Sequence, residues 1–307
     1  MGRHLRSLPH APEHLRRPPW RIMGAGDPTT FWRESRRRDG ARTGDLLHAS
    51  WTPEGPVTMR FFMHKDTVHA EAYGDGARYG LEHAEGLLGD RDDGTWAQGT
   101  PFDRMVREHG SPAIPTLLSV ADIVLRLVFG QRVTDREANR GYRGLVYRYG
   151  APAPGPAGDA LWLPPRGKTV AQIPYFEWHR WGVEKKRAIT MQHVGKHGAY
   201  LESCAGADDF AARLERVPGI GPWTSINAAA NFGDADAAPT GDYNYPNQVA
   251  WHLAGEPRAD DARMLELLEP YRPHRQRVLR LIETRLGAAP RYGPRMAPSR
   301  WTKDERY

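Results

Sequence analysis

Apolar and polar positions alternate with a period of two only in the first hundred residues of the chain. Leu46–Trp51, Val57–His64 and Thr67–Tyr73 read as antiparallel strands, with turns at E-G-P (54–56) and H-K-D (64–66). Arg78–Leu88 follows with a helical pattern and is expected to pack on that sheet. From Pro101 onward the strand signal fades and the period becomes helical. Helices are expected over Pro101–His109, Ser119–Phe129, Thr134–Tyr149, Pro174–Trp181, Val183–Leu201, Asp208–Val217, Trp223–Phe232, Asn244–Leu253, Asp260–Leu268 and His274–Leu286. The Pro- and Gly-rich stretch Ala151–Gly158 reads as a loop, and the chain shows no internal repeat.

Residues 1–40 read as irregular, because Pro9, Pro12, Pro18, Pro19 and Pro28 interrupt any helix. The expected organisation is therefore a basic irregular segment (1–40), a small α/β domain (41–98), an all-helical domain (99–286) and a basic tail (287–307). A length of 307 residues suits two domains, since one typically takes about 100–200 residues.

Charge is concentrated at the ends. The net charge is +6, but residues 1–40 hold nine Arg against Glu13, Asp27, Glu34 and Asp39, a balance of +5. Residues 287–307 hold four Arg and Lys303 against Asp304 and Glu305, a balance of +3, which leaves about −2 for residues 41–286. The two ends fit either arms that release counterions from a nucleic acid or solubilising segments. Any polyanion contact by the body has to come from local placement of Arg132, Arg136, Arg140, Lys185, Lys186 and backbone amides.

The longest apolar stretch, Leu117–Phe129, is interrupted by Asp122 and Arg126, and no apolar core follows the first basic residues, so no membrane span or secretory signal is expected. The single cysteine, Cys204, points to a reducing compartment and cannot supply the four thiolates of an iron–sulfur cluster.

The most informative run is L-E-R-V-P-G-I-G-P-W-T-S-I, Leu214–Ile226. Phe210, Leu214 and Val217 share one face of a short helix. Pro218 ends it, Gly219 supplies the positive φ of a sharp reversal, and a second helix starts near Pro222, where a first turn tolerates proline. The amides of Gly219, Ile220 and Gly221, with Thr224 beside them and the positive end of the new helix dipole behind, suit a phosphodiester. The same run also serves as a plain helix–helix connector. Downstream, T-G-D-Y-N places Asp242 near the start of the next helix, where an aspartate acts as an N-cap or as a reactive carboxylate. Asp234 and Asp236, in the loop before it, read as turn formers or caps.

Taken together, Leu214, Val217, Pro218, Gly219, Ile220, Gly221, Trp223, Thr224 and Asp242 resemble the helix-hairpin-helix base-excision DNA glycosylases, and among them the bacterial inducible 3-methyladenine DNA glycosylases. Leu125–Gly150, with its Gly130-Gln131 pair and closing Tyr-Gly, and Leu267–Ile282 are similar to further segments of that family in the same order. The likeness covers roughly residues 100 to 286. It implies a mainly α fold, a glycosylase body of two helical subdomains preceded by a small antiparallel α/β layer. It also implies that Asp242 is the catalytic carboxylate.

Family members that cut the strand carry a nucleophilic lysine inside the hairpin. This chain has Trp223 at the matching place and no lysine between Phe210 and Asn247, so a monofunctional enzyme that leaves an abasic site is expected. The resemblance implies that the damaged base is flipped out of double-stranded DNA. Trp223, Tyr243, Asn227 and Arg280 are expected to line its pocket, with Asn227 and Arg280 standing where the family carries aromatic rings. Gln131 and Arg132 are expected at the gap left in the duplex, with Arg132 in place of the usual apolar wedge.

The resemblance also implies a monovalent cation, Na+ or K+, on the carbonyls of Glu215, Val217 and Ile220, with no other cofactor required. The expected function is hydrolysis of the N-glycosidic bond of alkylated purines by a cytoplasmic, nucleoid-associated monomer. The alternatives are the same reaction on a deaminated or bulky base, and a non-catalytic DNA-binding protein.

Overall fold

The computed structural model describes residues 4–9, 27–36, 42–64, 67–157 and 160–290. Five strands form one antiparallel sheet: β1 (His4–Leu8), β2 (Thr30–Arg36), β3 (Arg42–Thr52), β4 (Gly55–His64) and β5 (Thr67–Tyr73), in the order β1-β5-β4-β3-β2. The central register pairs Leu46 with Phe61 and Phe61 with Ala70, so these residues share one face, with Leu8, Val57, Met59 and Val68 beside them in the core. Helix α1 (Ala77–Glu82) lies against β1, β4 and β5, and α2 (Ala84–Leu88) follows it. His83 ends the first helix, which splits the single helix expected over 78–88.

The expectation of an irregular first segment is corrected: β1 and β2 both fall within residues 1–40 and form the two edges of the sheet. Residues 10–26 and most of the basic C-terminal tail lie outside the described residues. The strand at 4–8 escapes a period-two reading because Arg6 faces the side that Ala70 faces. Its guanidinium donates to the Leu81 carbonyl at 2.8 Å, at the end of α1, and to Glu85 at 2.6 Å, in the first turn of α2. The proline-rich loop also carries more order than expected, since β6 (Ala151–Pro152) pairs with β7 (Trp162–Leu163). That hairpin covers the outer face of the sheet, where Leu47 and Ala49 pack against Ala153, Leu161 and Leu163.

The remaining helices are α3 (Asp103–His109), α4 (Val120–Gly130), α5 (Asp135–Tyr149), α6 (Gly167–Gln172), α7 (Tyr175–Arg180), α8 (Lys185–Lys196), α9 (Gly198–Glu202), α10 (Ala207–Glu215), α11 (Pro222–Ala230), α12 (Tyr245–Ala254), α13 (Asp261–Leu268) and α14 (Arg275–Arg285). Helix α6 has no counterpart in the sequence reading, and His197 separates α8 from α9 within the helix expected over 183–201. A capping box starts α5: the Thr134 hydroxyl accepts from the Glu137 amide, and Glu137 accepts from the Thr134 amide at 2.9 Å.

Two cores divide the molecule differently from the expected boundary at residue 98. The first is continuous from the sheet through Leu125, Phe129, Tyr142, Trp178, Met191, Phe210 and Leu214. The second joins Ala97, Phe102 and Val106 to Val249, Met264, Leu268, Val278 and Ile282. The chain thus leaves the sheet, lays α3 in the second lobe, returns to build α4–α11 in the first, and completes the second with α12–α14. The crossing segments run side by side, with a bridge between Thr116 and Phe232 and a bond from the Leu117 amide to the Asn231 carbonyl at 3.1 Å. Arg277, only 4 % exposed, is clamped at this seam by ion pairing with Asp90 and by donating to the Pro112 carbonyl at 2.6 Å. No helix among the described residues is long and apolar enough to cross a membrane.

Candidate active site

Helix α10 ends at Glu215, and the turn 216–221 reverses the chain into α11. Gly219 takes φ +91°, which excludes an ordinary side chain on conformational grounds. Space excludes it as well: a Cβ at Gly219 would lie 1.9 Å from Oγ1 of Thr190, on α8. His193, on the same helix, has Nδ1 3.4 Å from the Pro218 carbonyl. The turn is therefore held from behind by α8, which the sequence reading did not foresee because Thr190 lies far from Gly219 along the chain. Gly221 is the N-cap of α11 and meets nothing within 4 Å of an added Cβ, so its outer side is open.

Pro222 occupies the first turn of α11, which contains no acidic side chain, so nothing in that turn neutralises the positive end of the helix. Among the described residues the amides of Gly219 and Gly221 donate to no protein acceptor. The Ile220 amide is different: it donates to the Val217 carbonyl at 3.1 Å, and the Ile220 residue is 9 % exposed, held in the core.

Asp242 sits directly beside this hairpin. Its Oδ2 accepts the indole Nε1–H of Trp223 at 2.7 Å. Its Oδ1 accepts the amides of Asn244 at 2.7 Å and Tyr245 at 3.0 Å, so it also caps the start of α12. The choice left open by the sequence, cap or reactive group, is not exclusive: one oxygen caps while the other faces the hairpin helix. Asp236 is committed elsewhere, gripped by Arg275 at 2.8 Å and Arg272 at 2.7 Å.

The overall structure has counterparts among solved structures. It is similar to the 3-methyladenine DNA glycosylase of Archaeoglobus fulgidus, with a TM-score of 0.68 and 15% identity over 92% of this chain and 97% of that one. It is similar to the 8-oxoguanine glycosylase/lyase of Clostridium acetobutylicum, with a TM-score of 0.59 and 12% identity over 81% of this chain and 88% of that one. The chain has a helix-hairpin-helix DNA glycosylase fold. The 3-methyladenine DNA glycosylase of Schizosaccharomyces pombe, solved with abasic DNA, matches a smaller part, 61% of this chain and 91% of that one, with a TM-score of 0.50 and 14% identity. The sequence matches no protein-family model and no curated protein.

Within this glycosylase fold the expected site residues separate into those that meet and those that do not. Trp223 and Asp242 meet. Gln131 meets the hairpin: its Nε2 donates to Thr224 Oγ1 at 2.9 Å and approaches the Gly219 carbonyl at 3.5 Å. Thr224 is correspondingly 1 % exposed, with its hydroxyl facing Gln131, so the expectation that it contacts DNA is corrected. The next residue, Arg132, is exposed and is the one non-glycine residue at positive φ (+57°) among the described residues. The turn that carries it abuts the hairpin helix, since a Cβ on Gly130 would lie 3.8 Å from Cη2 of Trp223.

Two pocket expectations need correction. Tyr243 is 82 % exposed, so its ring is directed to solvent and forms no wall against the protein. Asn227 folds back on its own helix, donating from Nδ2 to the Trp223 carbonyl at 2.7 Å. Arg280 lies near Tyr245 and Glu283, and burial pushes its guanidinium below the usual arginine range. Tyr245 links this group to the carboxylate: its amide binds Asp242 and its hydroxyl donates to Glu283 at 2.7 Å. Of the three carbonyls expected to hold a cation, that of Val217 already accepts the Ile220 amide. A carbonyl has two lone pairs, so this leaves one for an ion.

Proposed function

We propose that this chain is a monofunctional DNA glycosylase that flips a damaged base from double-stranded DNA and hydrolyses its N-glycosidic bond with Asp242 as the catalytic carboxylate. The observation that carries the reading is the bond from Trp223 to Asp242, which sets a carboxylate beside two open hairpin amides. A phosphate seated on the Gly219 and Gly221 amides brings the adjoining sugar to that carboxylate. Departure of the base builds positive charge on the sugar, and a fixed negative group stabilises it. Arg132 is the group proposed for the gap, its left-handed backbone presenting a guanidinium outward.

The absence of lysine between Phe210 and Asn247 supports hydrolysis without strand cleavage. The sequence resemblance supports alkylated purines such as 3-methyladenine, which are already cationic on the sugar and so leave readily, as neutral bases. A monovalent ion on the Glu215, Val217 and Ile220 carbonyls would add a charge contact to the same phosphate. A second reading keeps the reaction and changes the lesion to a deaminated or bulkier base. It is favoured by Arg280, which stands where the resemblance places an aromatic ring and lies among the polar groups of Tyr245 and Glu283.

A panel of duplexes, each with one lesion, tests both readings. Release of 3-methyladenine and 7-methylguanine by the wild-type protein, with no adduct trapped by borohydride, is expected under the first. Release confined to hypoxanthine or other uncharged lesions would select the second, and a trapped adduct would overturn hydrolysis without a lyase step.

A further inference from the structure

The three donors on Asp242 come from different parts of the molecule. The amides of Asn244 and Tyr245 belong to the lobe that carries Asp242 and move with it. The Trp223 indole belongs to the hairpin helix and packs against the first core. Its N–H therefore crosses the seam between the element that would seat a phosphate and the group that would meet the sugar.

A carboxylate has about four lone-pair positions. Two amides occupy Oδ1 and the indole occupies one position on Oδ2, so the open position lies on the oxygen that Trp223 orients. The terminal torsion of aspartate is broad and roughly two-fold, so two amides on one oxygen leave the plane of the other to be fixed. Trp223 is suited to fix it. A Cβ built on Gly130 would meet the Trp223 ring at 3.8 Å and one built on Gly241 would meet its Cβ at 3.9 Å, and its carbonyl is held by Asn227.

We propose that Trp223 is a positioning residue: its indole N–H aims the open lone pair of Asp242 Oδ2 at the sugar and sets the distance from hairpin to carboxylate. This role rests on the glycosylase reading above and goes beyond a base-stacking wall, which needs the ring but not its N–H.

Two variants test it: W223F, and replacement of Trp223 by benzothienylalanine, which keeps the indole shape and substitutes sulfur for the N–H. Two quantities are measured, the single-turnover rate of base release and the affinity for a duplex bearing a tetrahydrofuran abasic analogue. Loss of a hydrogen bond to a charged group predicts a rate roughly tenfold to a hundredfold lower, with affinity for the analogue unchanged. The benzothienylalanine protein preserves the packing, so it decides the matter if W223F is unstable. A wild-type rate in that protein, or a loss of analogue affinity in step with the rate, would overturn the role. Failure of the unaltered protein to release any base would overturn the glycosylase reading itself.

Discussion

The two lobes hold their parts of the site by different means. In the first, the hairpin turn is fixed by close packing: Gly219 rests on Thr190 with no room for a methyl group, and Phe210 and Leu214 anchor α10 in a core that runs into the sheet. In the second, polar contacts dominate near the site. Asp242 is held by three N–H donors, Asp236 by two arginines, and Arg277 by Asp90 and a carbonyl at the seam. On the proposed function the difference teaches a division of labour, with seating of the DNA backbone falling to a sterically rigid turn and chemistry to a carboxylate aimed by hydrogen bonds. The two tasks should then be separable by substitution.

The largest separation is expected from D242N. An asparagine keeps the acceptor oxygen that caps α12 but carries no charge, so base release should fall on the order of a thousandfold or more while affinity for an abasic-analogue duplex persists. Equal loss of both would break the comparison. G219A should do the opposite. Positive φ and the contact with Thr190 are expected to cost about 2 kcal/mol of stability and to weaken duplex binding. The single-turnover rate at saturating protein should be largely retained, and T190A in the same chain should recover part of the stability. Calorimetry and a binding titration read these effects.

R132G sharpens the same contrast at smaller scale. Glycine relieves a left-handed backbone, a gain of about 1 kcal/mol, yet it removes the guanidinium from the proposed gap. The melting temperature should rise while release from duplex falls, and release from single-stranded substrate, which has no gap to fill, should be unaffected.

The smallest effect concerns Asp234, at the crossing between lobes. Burial holds its carboxyl above the usual range, so the native state binds that proton more tightly than the unfolded chain does. Stability is therefore lost as pH rises through the shifted value. D234N keeps an acceptor for the Asp236 amide and should raise the neutral-pH melting temperature by about 2 °C. The difference should vanish in acid, where Asp234 is protonated.

The elements that could be read from sequence were those specified by neighbours along the chain. Gly219, Pro222 and the strands through Val57–His64 and Thr67–Tyr73 each follow from turn chemistry or alternation within a few residues. Asp242 was legible as a candidate, but its bond to Trp223 was not, since the two pair across 19 positions with no periodic signal. The Gln131–Thr224 contact spans 93 positions and turned an expected gap residue and an expected DNA contact into partners of one another. Burial decided the remainder. Tyr243 and Asn227 have the right chemistry for a pocket, and only the folded structure reveals that one points to solvent and the other to its own backbone.

The interleaved path of the chain also has a consequence during synthesis. Ala97, Phe102 and Val106 belong to the second core, whose other members, from Ala238 to Ile282, follow well over a hundred residues later. At about 5–20 residues per second on the ribosome, that apolar face waits roughly ten to thirty seconds for its partners, while the sheet can already pair. This stretch of nascent chain is where a chaperone would have the longest time to bind.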